Sequence, residues 1–412
     1  MNDDEIRTRA YRRWEREGKR DGSDQRHWYE AEDEIRRGKF LGLFEAWDID
    51  ALLDLKMMGL QRHPIAALAA EDRETVGLRH FPRRLMRPAP ATPGPVLINT
   101  ETAAKALWQM NPDWIRRARK HLGGSDIANA AAALGELRAY SGLIEAFGQD
   151  AVAPGAPLQA GGPSPEFKIC FGGSDVIVEV HSKQMDGGQQ RDLATFADAV
   201  GDEVKKALSS GSTPGIVMGS TTVAPMGQPT PNKAGDTVQT NAISRIAQIK
   251  DREHQVDANL PFVLWLDLQD PNTWPFSTFD ENTLPLMSGH HGSLESGAFW
   301  HAFYGRKGKP IISFDGFQCS IVPLGHEGRF FNPKMKHGGP SKVSAAVLSF
   351  PRSTVVFEHP QAMVPLPPAF RIRLLHLPYF SIEKSYLEFS PGSVRNAIDN
   401  AQATIDSLSR ML

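Results

Sequence analysis

Alternation of apolar and polar residues predicts a hairpin near the middle of the chain. In residues 176–183, the strand period of two sends Glu179, His181 and Lys183 to one face and Val178 and Val180 to the other. A second strand-like run, 167–171, precedes this stretch and is separated from it by glycine and polar residues. Two such runs around a glycine-rich turn predict an antiparallel β-hairpin.

Longer apolar runs and helical spacing predict the rest of an α/β core. The continuous run 261–268 is typical of a buried strand, and two further stretches, 341–349 and 352–357, predict additional strands. Apolar residues at helical spacing predict three helices, which cover 125–147, 241–252 and 391–412. The sequence therefore predicts a mixed α/β fold with a central mixed β-sheet flanked by helices.

The first 40 residues predict a separate, all-helical appendage. Apolar residues recur at helical spacing from Ile6 to Trp14 and again from Trp28 to Ile35, with a glycine-containing break between them. Residues 41–95 predict a helical connector that becomes rich in proline and arginine, and proline interrupts both helices and central strands. We expect the α/β domain to occupy 96–412 and to contain a flexible loop at 209–240, where Gly, Ser, Thr and Pro dominate.

Composition narrows the class of protein. The chain has 412 residues, 41% of them apolar and 23% charged, which is enough for one large domain with a small appendage. Two cysteines, Cys170 and Cys319, are too few for a disulfide framework, and we expect both to be buried in a reducing cytoplasm. No apolar run approaches the roughly 20 residues of a membrane span, so we expect no membrane partner.

Charge is unevenly distributed along the chain. The formal net charge is only −2, yet residues 79–121 contain nine Lys or Arg residues and two Asp or Glu residues. This segment predicts contact with phosphate groups, and a solvated helix face with ordinary ion pairs is an equally open interpretation.

Acidic residues near the hairpin form a candidate metal site. Glu166 opens the first strand directly after a proline, so the hairpin is expected to bring it near Glu179, and Glu136 interrupts the apolar stripe of the preceding helix. Magnesium prefers carboxylate and water oxygens, and these three glutamates are therefore candidate ligands. His181, as a neutral imidazole, and Lys183 are both candidates for the group that handles the proton of the attacking water or steadies the phosphate.

The order of these residues resembles the PD-(D/E)XK, or restriction-endonuclease-like, superfamily over about 96–412. The resemblance implies that Glu166 stands in place of the motif's aspartate, Glu179 in place of its second acid, His181 in place of its lysine, and Glu136 in place of a helix glutamate. It also implies a magnesium- or manganese-dependent nuclease. Residues 1–37 resemble a small bacterial two-helix family of unknown function.

We therefore expect a cytoplasmic, bacterial, metal-dependent nuclease that acts on DNA rather than RNA, with a homodimer or a protein partner as a further possibility. Because histidine replaces the lysine, an inactive nuclease-like fold that binds nucleic acid or acts in assembly is the main alternative, followed by a purely structural or interaction protein. A zinc site at His290, His291 and His301 is disfavoured, because their spacing matches no compact ligand pattern.

Overall fold

The computed structural model describes most of the chain beyond residue 126 and short parts of the region before it. The longer described segments are 3–16, 127–155, 165–182, 226–230, 235–249, 259–269, 279–288, 292–314, 319–331 and 341–412, with residues 27–28 and a few isolated positions elsewhere. The chain divides into two compact units, Met1–Gly142 and Leu143–Leu412.

The described residues contain six α-helices and ten β-strands; α1 and most of α2 belong to the first unit, and the other elements belong to the second. The helices are α1 (Asp3–Arg16), α2 (Ile127–Phe147), α3 (Val238–Ala247), α4 (Ala298–Tyr304), α5 (Pro368–Leu374) and α6 (Ser393–Leu408). The strands are β1 (Val152–Pro154), β2 (Phe167–Phe171), β3 (Ser174–Ser182), β4 (Phe262–Asp267), β5 (Leu286–Ser288), β6 (Leu294–Ser296), β7 (Pro310–Phe314), β8 (Cys319–Pro323), β9 (Val343–Ser349) and β10 (Thr354–Glu358).

The described strands form one six-stranded mixed sheet and two small hairpins. The large sheet has the order β1-β2-β3-β4-β9-β10, whereas β5 pairs with β6 and β7 with β8. The strands β1, β2 and β3 run antiparallel, β3, β4 and β9 run parallel, and β10 returns antiparallel to β9. The predicted mixed α/β class, with helices flanking a mixed sheet, is confirmed.

Apolar side chains cover both faces of this sheet. One face carries Ile177, Leu264 and Leu348, which join a buried cluster with residues of α3, α4 and α6. On the opposite face the ring of Phe147, the last residue of α2, packs 5.7 Å from Phe171 and 4.4 Å from Phe370 of α5. Burial on both faces explains why β4 is continuously apolar rather than alternating.

The last strand of the sheet is covered by the chain that follows it. Thr354 N–H donates to the Tyr379 carbonyl at 2.8 Å, and Glu358 N–H donates to the Tyr386 carbonyl at 2.8 Å. The segment around 379–386 therefore satisfies backbone groups that would otherwise stay open for another strand. At the other end, β1 is only three residues long and ends in Pro154.

The predicted hairpin is confirmed, with a shorter turn than the sequence indicated. The turn consists of Gly172 and Gly173, whose φ values are +59° and +76°, and both residues therefore adopt the left-handed conformation that glycine tolerates. Ser174 and Asp175 already belong to β3, because Asp175 pairs with Cys170.

Two helix starts differ from the predictions. α3 begins at Val238 rather than at residue 241, because Thr237 and Thr240 form a reciprocal capping box in the stretch assigned to the loop. α6 begins at Ser393 rather than at residue 391, after Gly392 in the left-handed conformation. The Glu388 carboxylate accepts from Ser393 N–H at 2.8 Å and so caps this helix.

The prediction that both cysteines are buried is wrong, because Cys170 and Cys319 are exposed. Cys170 lies next to the hairpin turn, on the same face as the ion pair between Lys168 and Asp175. Cys319 begins β8, a strand along which side chains alternate between exposed and half-buried. The connector 41–95, most of the basic segment 79–121 and most of the loop 209–240 lie outside the described residues.

Candidate functional site

Glu179 lies in the middle of β3 and is buried on a mainly apolar strand. Its side chain is 1% exposed, and the residues on either side, Val178 and Val180, are buried as well. In the parallel pairing with β4, Glu179 is the partner of Leu264, which belongs to the main apolar cluster. Burying a carboxylate at such a position costs free energy, so a purely structural packing role would favour an apolar residue.

Glu166 lies beside Glu179 on the neighbouring strand. Phe167 pairs with Val178, and the same antiparallel register continued by one residue places Glu166 opposite Glu179, on the same face of the sheet. The Glu166 carboxylate accepts a hydrogen bond from Val180 N–H at 3.3 Å, and its backbone carbonyl accepts from Gly155 N–H at 2.9 Å. These contacts hold the second carboxylate against β3, next to Glu179 along the strand.

His181 shares the face of Glu179, two residues further along β3. It is half-buried and pairs in register with Leu266 of β4. The imidazole lies near the end of the strand, and its Nε2 atom is buried. Lys183 lies outside the described residues, so the choice between His181 and Lys183 stays open.

Glu136 belongs to the first compact unit. It lies on α2 and is half-buried, while Tyr140 of the same stripe is buried and packs 5.3 Å from the ring of Trp114. The predicted helix and its apolar stripe are therefore confirmed. The membership of Glu136 in a site with the two sheet glutamates stays a prediction.

The pair of carboxylates fits a hard divalent cation in part. Glu166 and Glu179 supply the oxygen ligands that magnesium takes, and magnesium ordinarily keeps several waters and binds through one or two carboxylates plus substrate phosphate. Within the described segments, no group of three or more His, Cys, Asp or Glu side chains is arranged to hold a metal ion. A third protein ligand, for which Glu136 is the candidate, stays a prediction.

A second polar group lies at the carboxyl ends of the parallel strands, and the sequence analysis missed it. Ser182, Asp267 and Ser349 pair in register across β3, β4 and β9. Asp267 is 1% exposed, and the side chain of Gln269 donates to the Ser349 hydroxyl at 2.8 Å. The carboxyl ends of parallel strands are where α/β proteins commonly bind ligands. The signal in the sequence was Asp267 at the end of a continuous apolar run.

His301, a member of the disfavoured zinc set, is buried within α4. Burial lowers the pKa of its imidazole to about 3, and a hydrogen bond to the backbone carbonyl of Pro285 opposes that shift. His301 is therefore neutral at physiological pH, packed 4.8 Å from the ring of Trp300. The other two histidines, His290 and His291, lie outside the described residues.

Comparison with known proteins identifies only the N-terminal segment. Residues 1–37 match a family model described as a protein of unknown function (DUF2934). This match supports the predicted small N-terminal domain and assigns no activity to it. Comparison with curated proteins gives no match, and comparison with solved structures gives none either. In the described part of the chain, no helix combines the length and the apolarity that a bilayer crossing requires.

Proposed function

We propose that the chain is a metal-dependent nuclease of the restriction-endonuclease-like type, acting on DNA in preference to RNA. The observation that carries this proposal is the pair of carboxylates on adjacent strands, with Glu179 buried in β3 and Glu166 held beside it. The antiparallel hairpin followed by a parallel strand also agrees with the resemblance seen in the sequence.

In this proposal Glu166 and Glu179 hold magnesium or manganese, with Glu136 as a candidate third ligand. A bound divalent ion supplies charge for the phosphate oxygens and lowers the pKa of water. In this proposal His181, near the end of β3, accepts the proton, and Lys183 is the alternative. Glu179 is 1% exposed, so bulk water has little access to its carboxylate.

Cleavage of supercoiled plasmid by the full chain tests the proposal. We expect nicked or linear product with magnesium or manganese, no product with EDTA, and a loss of at least about 10³-fold in rate for Glu179→Ala. Glu145→Ala is the matched control, because Glu145 is an exposed glutamate on α2. If the wild-type chain shows no metal-dependent cleavage, the nuclease proposal is wrong. Binding of DNA without cleavage supports the alternative of an inactive fold that binds nucleic acid.

A second pair of variants assigns the proton-handling group. If His181→Ala loses cleavage and Lys183→Ala keeps it, the histidine acts as the base, and the reverse result assigns that role to the lysine. Circular dichroism of each variant confirms that the loss does not come from unfolding. The pH dependence of the rate supplies an independent readout, since a histidine base titrates near pH 6.5 and a lysine much higher.

A further inference from the structure

Tyr379 has the most unusual backbone of the described non-glycine residues. Its φ is +56°, and it is the one non-glycine residue with a positive φ in the described part of the chain. A bulky aromatic residue in this conformation is strained, and such strain persists where the surrounding structure holds it. Burial of the aromatic ring does not compensate for the strain, because the residue is 57% exposed.

Hydrogen bonds to the last strand of the sheet hold Tyr379 in place. Thr354 N–H donates to the Tyr379 carbonyl at 2.8 Å, and the Thr354 hydroxyl donates to the Pro378 carbonyl at 2.6 Å. On the other side, Ser381 N–H donates to the Thr354 carbonyl at 2.9 Å. The exposed ring is thus presented by a fixed backbone rather than by a loose loop, which lowers the entropy lost when a ligand stacks on it.

The position of Tyr379 relates it to the candidate site. Ser182 at the end of β3 pairs with Asp267, Asp267 with Ser349, and Ser349 with Thr354, which bridges to Phe380. All of these residues lie at the same end of the sheet as His181. Four steps between neighbouring strands lead from Ser182 to Phe380 and span about 19 Å. Tyr379 therefore lies at the same end of the strands as the end of β3.

The same edge carries an exposed cation. Arg352 lies in the turn between β9 and β10, two residues before Thr354, and is exposed. His376, just before Pro378, is exposed as well, while Glu383 provides one exposed negative charge further along. Proteins that bind single-stranded nucleic acid combine exposed aromatic rings, on which bases stack, with cations that contact the phosphates, and this end of the sheet presents one group of each kind.

We propose that Tyr379 is a stacking platform for a base of a single-stranded nucleic acid segment that leads to the candidate site, with Arg352 contacting its phosphate. This inference rests on the proposed function. It adds that a single-stranded or unpaired stretch of the substrate crosses the end of the sheet and contacts Tyr379. The ring binds the base, and its strained backbone fixes the direction in which the ring faces.

Fluorescence anisotropy with a fluorescein-labelled oligothymidylate and the full chain in EDTA tests the proposal. We expect Tyr379→Gly to weaken binding by about 5- to 150-fold and Tyr379→Phe to keep it, because stacking needs the ring and not the hydroxyl. Glycine adopts the required φ without strain, so the midpoint of urea-induced unfolding should not fall. Arg352→Ala should weaken binding and reduce the slope of log K against log salt by about 0.7.

Phe389→Ala is the matched control, because Phe389 is an aromatic residue that is 56% exposed and has an ordinary backbone. Its binding should equal that of the wild-type chain. If the wild-type chain binds or cleaves nucleic acid and Tyr379→Gly binds equally well, the stacking platform is wrong while the proposed function stands. If the wild-type chain neither binds nor cleaves, both fail.

Discussion

Two buried glutamates of the same sheet have neighbours of different charge. Glu358 ends β10 and is 3% exposed, and Glu179 in β3 is 1% exposed. The Glu358 carboxylate accepts from Arg371 Nε at 2.8 and 3.1 Å and from Arg371 Nη2, and it also accepts from Glu388 N–H at 2.8 Å. The residue that the strand register places opposite Glu179 is another carboxylate, Glu166.

The difference separates a structural role from a candidate functional one. A guanidinium that binds a carboxylate through two nitrogens neutralises it and fixes two parts of the chain, here β10 and α5. Two adjacent carboxylates repel each other and favour a bound cation or a proton. Burial alone therefore does not mark a functional residue, and the two glutamates differ in the charge of the neighbour that the strand register or the hydrogen bonds give each of them.

The largest expected effect is on the stability contributed by Glu358. Glu358→Gln leaves the Arg371 guanidinium, whose side chain is 12% exposed, without its anion, and we expect the free energy of unfolding to fall by about 3–5 kcal/mol. Urea denaturation followed by circular dichroism measures this change. Glu203→Gln is the control, because Glu203 pairs with Lys206 at 2.7 Å on the surface, and such pairs contribute little. Equal effects of the two substitutions contradict the structural assignment of Glu358.

The sequence predicts those features of the sheet whose signals lie within a few neighbouring residues. The hairpin follows from Gly172 and Gly173, and β4 follows from an uninterrupted apolar run, because both signals lie within a few residues. The start of α3 was missed because the threonines of its capping box, Thr237 and Thr240, lie in a stretch whose composition is typical of a loop.

Features that depend on strand order could not be predicted in this way. The register of Asp267 with Ser182 and Ser349 joins residues from three distant segments, and it exists only because β4 lies between β3 and β9. The exposure of Cys319 depends likewise on the position of β8 in its small sheet. The proximity of Glu166 and Glu179 could be predicted from the sequence, because both residues belong to a single hairpin.

Acid should weaken the region of Glu358 through its neighbour, His359. The pKa of His359 is lowered to about 4, mainly by burial and also by the nearby Arg306 and Arg329, while a hydrogen bond to the Phe330 backbone opposes the shift. Above pH 6.5 the imidazole is neutral in the folded and unfolded states. Between pH 6.5 and about 4 the unfolded chain binds the proton more readily than the folded chain. The free energy of unfolding therefore falls by on the order of 3 kcal/mol as the pH is lowered through this range.

Urea denaturation at pH 7.5 and at pH 4.5 measures this dependence. His359→Asn should make the free energy of unfolding less dependent on pH, because asparagine does not bind a proton in this range. Its side-chain oxygen can still accept from Gln361 N–H, as His359 Nδ1 does at 2.9 Å. The remaining dependence includes His301, whose pKa is about 3 and whose effect has the same sign. If the variant loses stability with falling pH as steeply as the wild-type chain, His359 is not the group responsible.

The smallest expected effect is the most informative about Glu179. Glu179→Gln keeps the shape of the side chain and removes one of two adjacent negative charges, so we expect the free energy of unfolding in EDTA to stay the same or rise by up to about 1 kcal/mol. Glu358→Gln, by contrast, should lower it strongly, although both substitutions remove a buried charge from the same sheet. Urea denaturation of both variants in one buffer makes the measurement. A large loss of stability in Glu179→Gln would mean that the Glu179 carboxylate holds the fold together as Glu358 does, and it would remove the main physical reason for placing a metal there.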